Sequence, residues 1–98
     1  MSNQTCALCS RDVPYTTEHH LVPKTRHKNK KTRKTFSRSV LQTTVALCEA
    51  CHRQIHRLID EKTLEREYNT IERIKSHKDI RTYLNWIVNK PPAFKPKP

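Results

Sequence analysis

Residues 48–56 read Cys48-Glu-Ala-Cys51-His52-Arg-Gln-Ile-His56, and the fold is decided by how this stretch is understood. The C-x2-C spacing lets two thiolates of one knuckle reach a single ion at about 2.3 Å. A second pair, Cys6-Ala-Leu-Cys9, stands near the start of the chain, so two knuckles complete a tetrahedron. His52 and His56 are related as i and i+4. That spacing stacks both imidazoles on one helix face about 6 Å apart along the axis, close enough to share one divalent ion or to flank one phosphate. Because Cys51 and His52 are consecutive, the knuckle fixes the first turn of the helix that carries the histidines.

Of the 98 residues, 34% are hydrophobic and 30% charged. One small domain follows, because the buried fraction of surface falls with chain length and apolar burial alone leaves such a chain marginal. A closed tetrathiolate site supplies the missing staple, since zinc binding there becomes folding energy. The first residues, MSNQTCALCSRDVP, show no basic region followed by an apolar stretch, so no secretory signal is read and disulfides are disfavoured. A thioredoxin-like pair would need a βαβ unit around Cys6, which the sequence does not offer. No apolar run approaches the roughly 20 residues that cross a bilayer, and a cytoplasmic protein without a membrane partner is expected. Lys plus Arg number 20 against 9 Asp plus Glu, a net charge of +11. That balance suits a polyanion, with nucleic acid the first candidate and an anionic lipid surface the second.

Around the decisive stretch the pattern predicts a strand over Thr16–Leu21, a second strand over Val40–Cys48 pairing antiparallel with it, and a helix over Glu49–Asp60. Leu64, Tyr68, Ile71 and Ile74, then Ile80, Tyr83, Leu84 and Ile87, recur at helical spacing, so two further amphipathic helices are expected. Ser76 with Asp79 reads as a capping box opening the last one. Tyr68, Tyr83 and Trp86 are expected in the core. Glycine is absent, so any turn needing positive φ must use another residue.

The run Cys6-x2-Cys9, Glu18-His19-His20-Leu21-Val22-Pro23 and Leu47-Cys48-x2-Cys51-His52-x3-His56 resembles the HNH endonucleases, in particular small bacterial members with a four-cysteine zinc site. The resemblance covers about residues 6–59. It implies an α+β fold with a ββα-metal core, encoded by a bacterium or a phage. It also implies His19 as a metal ligand from the first strand, His20 as general base, His52 as a helix ligand, and His56 as a ligand or phosphate contact. The catalytic ion would be a divalent metal such as Mg²⁺, Mn²⁺ or Ni²⁺, and the products 5′-phosphate and 3′-hydroxyl ends. The family's middle Asn falls at Gln42 or Thr43, and Gln42 offers the same amide on a longer stem. The chemistry stands independently of the name: a neutral imidazole takes a proton from water at cellular pH, and a divalent ion polarises a phosphate. Since neighbouring strand residues face opposite ways, His19 and His20 serve one site only if the strand ends or bulges there.

Lys24, Arg26, Lys28, Lys30, Lys31, Arg33, Lys34 and Arg38 crowd the segment 24–38 between the histidine pair and the second strand. Like-charge repulsion predicts an extended or mobile arm that meets phosphates without reading bases. His27 and His77 are read as solvated. The organisation expected is a nuclease core over 1–60, a helical extension over 61–90 packed on it, and a flexible Pro/Lys-rich tail over 91–98. DNA is the expected substrate, with RNA a second polyanion, and the protein is a monomer or a homodimer. Two rivals stand beside the nuclease: a non-catalytic zinc module that binds nucleic acid, and a regulator that contacts protein through its C-terminal helices.

Overall fold

The computed structural model describes residues 3–91, so all of the 91–98 tail except Pro91 lies outside the described residues. Gln4–Thr5 (β1) and Asp12–Val13 (β2) pair antiparallel on either side of the first knuckle. The Ser10 N–H donates to the Cys6 carbonyl and the Cys6 N–H to the Arg11 carbonyl, both at 3.0 Å. Ser10 takes the left-handed position of this turn, with φ 64°, where a residue with a Cβ costs about 1–2 kcal/mol.

Thr17–His20 (β3) pairs antiparallel with Thr44–Leu47 (β4), Thr17 opposite Leu47 and His20 opposite Thr44. The Ala7 N–H donates to the Ala46 carbonyl at 2.8 Å, which sets the first knuckle beside β4. After β4 comes Cys48, the N-cap of the helix Glu49–Leu58. Its Sγ accepts the Cys51 N–H at 3.5 Å, so one residue both caps the helix and points sulfur at the knuckle.

Between β3 and β4 lie a 3-10 turn, Lys24–Arg26, and two short helices, α1 (Lys30–Thr35) and α2 (Arg38–Leu41). The helix Glu49–Leu58 is α3. It is followed by α4 (Glu61–Glu67), α5 (Ile71–Ser76) and α6 (Lys78–Ile87). Leu47, Ile55, Leu64, Ile74, Ile80 and Ile87 are fully buried in one cluster that includes all four cysteines. The described residues form a small α+β protein with two two-stranded sheets and helices that share a core with the sulfur cluster.

Several elements differ from expectation. The second strand begins at Thr44 because the Ser37 hydroxyl accepts the Val40 N–H at 3.3 Å and winds Val40 into α2. The 24–38 arm is partly helical: Asn29 Oδ1 accepts the N–H groups of Lys31 and Thr32, capping α1. The first of the two expected late helices divides at Tyr68, and the Thr70 hydroxyl, accepting the Arg73 N–H at 3.1 Å, opens a new one. The cap of α6 is His77, whose Nδ1 accepts the Asp79 N–H at 3.1 Å, in place of Ser76. Tyr83 is buried as expected, whereas Trp86 is 43% exposed. His77 also packs edge-on against Tyr68 and is not freely solvated.

Candidate functional site

Cys6, Cys9, Cys48 and Cys51 are all buried, and their sulfurs lie within 4.8 Å of one another. Cys9 Sγ and Cys48 Sγ are 3.9 Å apart, against about 3.8 Å for a tetrahedron with 2.3 Å bonds. Hydrogen bonds from Cys48 and Cys51 pull the Cys6 thiol down to about 6, while those Cys51 makes to its neighbours push its own thiol up. Four sulfurs so close share protons unevenly until a cation permits all to ionise, and the donor set is the one a structural zinc takes. Arg11 braces the cluster, its Nε donating to Cys9 Sγ at 3.3 Å and a terminal nitrogen to Cys48 Sγ at 3.5 Å. Tyr83 adds a hydroxyl donor to Cys51 Sγ at 3.4 Å. Arg11 was not singled out from the sequence, although it stands two residues past a knuckle, and Tyr83, far along the chain, was expected only as a core aromatic.

A second cluster lies across α3. His19, His52 and His56 each bring a ring nitrogen within 4.8 Å of the others, with ring centroids 5.1–5.3 Å apart. His19 is 1% exposed and neither of its ring nitrogens has a hydrogen-bond partner. Burial, then the neighbouring His56 and His52, bring its pKa down to about 4, so the ring is neutral with an available lone pair. His52 is shifted downward by burial and by His56. The Thr17 hydroxyl lies 2.7 Å from His52 Nδ1 and 3.3 Å from the Leu47 carbonyl. When its one proton goes to the carbonyl, the hydroxyl accepts Nδ1–H, the tautomer that leaves Nε2 unprotonated and able to ligate.

A cavity of about 200 Å³ joins His19, His52 and His56 to His20, Glu18, Pro23, Lys24, Thr25 and Glu61. β3 ends at His20, so the two consecutive histidines reach the same space despite strand alternation. His27 is half-buried beside them: its Nε2 is 2.8 Å from the Val22 carbonyl, and its ring lies 5.8 Å from that of His20. Glu61, whose carboxylate accepts the Thr25 hydroxyl, was not legible beforehand, because nothing local ties the start of α4 to β3.

Gln42 stands apart from the histidine cavity. It is exposed at the C-cap of α2 and does not line the cavity. Thr43 contributes through its backbone, its carbonyl accepting the Leu21 N–H at 3.3 Å just beyond His20. Among the expected phosphate contacts, Lys24, Lys28, Lys30, Lys31, Arg33, Lys34 and Arg38 are exposed. Arg26 is spent otherwise, its Nε bound to Glu65 Oε1 at 2.8 Å.

Fold and clusters together define a class, a small α+β protein in which four cysteines converge on one point and three histidines on another. Comparison with curated proteins finds a relative in Bacillus subtilis (strain 168), the uncharacterized protein YisB. It is 31% identical over 87 residues, which span 89% of this chain and 76% of that protein. The chain belongs to the family of YisB. No family model matches it, and no solved structure matches it. No helix among the described residues is long and apolar enough to cross a membrane.

Proposed function

We propose that this protein is a metal-dependent endonuclease of the HNH type, with a ββα-metal core formed by β3, β4 and α3, acting on DNA with little sequence preference. The observation that carries the reading is His19. A fully buried imidazole with two unpartnered nitrogens costs free energy, and the rings packed against it are those of His52 and His56, the groups with which it would share an ion.

His19, His52 and His56 would hold a divalent cation such as Mg²⁺, Mn²⁺ or Ni²⁺, which when bound supplies positive charge to the scissile phosphate and the leaving 3′ oxygen. Thr17 orients His52 with Nε2 toward the cluster. His20 takes the proton of a water as its oxygen bonds to phosphorus and the bond to the 3′ oxygen breaks, and solvent protonates the leaving oxygen. The Thr43 carbonyl holds the backbone beside His20. The sulfur cluster holds zinc, takes no part in the chemistry, and sets the first turn of α3 from which His52 and His56 project.

The test is incubation of supercoiled plasmid with the zinc-loaded protein and Mg²⁺, Mn²⁺ or Ni²⁺. Cutting that stops with EDTA, and that falls roughly 100- to 10,000-fold in His20→Ala, is the expected result for a general base. A His20→Ala protein that cuts as well as wild type removes His20 from that role. Retention of the plasmid without any cleavage supports instead a zinc-stabilised module that only binds nucleic acid.

A further inference from the structure

The segment 24–38 is folded where charge alone predicts an extended arm. α1 has six residues, fewer than an isolated helix needs to hold together. Lys30 and Lys31 open it with no acidic residue in the first turn, an arrangement that opposes the helix dipole. What holds it is a contact from far along the sequence. Thr32, fully buried, donates its hydroxyl to Glu65 Oε1 at 2.6 Å, and the same oxygen accepts Arg26 Nε at 2.8 Å. Glu65 itself is 6% exposed. One buried carboxylate on α4 therefore pins the basic segment at two points, on either side of the Asn29 cap.

α4 also reaches the histidine cavity. Glu61, one turn before Glu65, lines it and accepts the Thr25 hydroxyl, and Lys24 and Thr25 line it as well. Around this pin Lys24, Lys28, Lys30, Lys31, Lys34 and Arg38 are exposed, with no ion-pair partner among the described residues. Holding like charges together is unfavourable until a polyanion supplies the counter-charge. A run that served only solubility would need no buried anchor.

We propose that the pinned segment is a preorganised docking surface for the backbone of duplex nucleic acid, and that Glu65 is the positioning residue that sets its cations beside the histidine cavity. The proposal rests on the nucleic-acid reading given above. A duplex is the better fit because single-strand binders add aromatic stacking platforms to their cations. Between residues 24 and 38 the rings are Phe36, half-buried, and His27, engaged with the Val22 carbonyl. Cations held in place suit a stiff, regularly spaced array of phosphates.

The experiment is fluorescence anisotropy of a labelled short duplex and of one of its strands, titrated with the zinc-loaded full chain across a range of KCl and without added divalent metal. Wild type binds the duplex more tightly than the strand, with log affinity falling against log salt by about 0.9 per phosphate contact. Glu65→Gln weakens duplex binding roughly 5- to 30-fold, the cost of ordering about one further residue on binding, and lowers the salt slope. Thr32→Val moves both readings the same way and Thr32→Ser restores them; this pair decides the matter if Glu65→Gln does not fold. Wild-type affinity and slope in Glu65→Gln or, failing that variant, in Thr32→Val overturn the positioning role. A strand bound as tightly as the duplex overturns the choice of duplex. Wild type that binds neither polymer at low salt overturns the nucleic-acid reading itself, a result obtained without the variants and so distinct from the others.

Discussion

Arg11 is a buried arginine whose guanidinium donates to sulfur. A zinc ion held by four thiolates leaves two net negative charges in the core, and a buried charge is tolerated only when it is paired. Arg11 would answer that charge, and its other terminal nitrogen donates to the Pro91 carbonyl at 2.7 Å, tying the chain beyond α6 to the knuckle. Partners outside the ligand set normally tune metal affinity roughly 10- to 100-fold. Arg11→Gln should accordingly release zinc to a chromogenic chelator faster than wild type by a factor in that range. Release at the wild-type rate would show that the sulfur cluster needs no such counter-charge. His19 is the opposite case, a buried polar group whose ring nitrogens have no hydrogen-bond partner among the described residues, and it is the residue on which the functional reading turns.

At the scale of elements, Glu65 links α4 to α1. Burial pushes its carboxyl upward, but the Thr32 hydroxyl and the Arg26 guanidinium pull it down by more, so it titrates below its ordinary value of 4.5. A carboxyl with a depressed folded-state pKa stabilises fully above its unfolded value and loses that contribution as pH falls below it. The difference in melting temperature between wild type and Glu65→Gln should be constant from pH 7 to about 5 and shrink below 4.5. A difference that stays the same to pH 3 would contradict the pairing. This contact also marks where sequence reasoning stops. The two C-x2-C knuckles, the i, i+4 histidines and the β3–β4 pair were legible because each is written in spacing or period over a few residues. The fold of 24–38 was not, since repulsion is local and its anchor is a glutamate in another helix. Val40 misled for a related reason: its β-branched side chain suits a strand, but the hydroxyl of Ser37 caps a helix through it. Gln42 was a match by side-chain chemistry alone, and its place at the end of α2 carries it to the surface.

Across the whole molecule, the four cysteines sit in the same buried cluster as Leu47, Ile55, Leu64 and Ile80, so the sulfur site is part of the core. With a hydrophobic fraction of 34%, the chain would draw a large part of its stability from an ion held by those sulfurs. Cys6→Ser should lose zinc and the cooperative melt together, seen by metal content and circular dichroism on one sample. A sharp melt in that variant would mean that the cluster does not staple the fold. The central claim, though, is that two separate ion sites share this small body, one of sulfur and one of imidazole. Anomalous diffraction from crystals of the zinc-loaded protein soaked in Mn²⁺, recorded at the zinc edge and at a wavelength where manganese dominates, separates them. The account predicts zinc among Cys6, Cys9, Cys48 and Cys51 and manganese within bonding distance of the rings of His19, His52 and His56; manganese absent from those rings would contradict it.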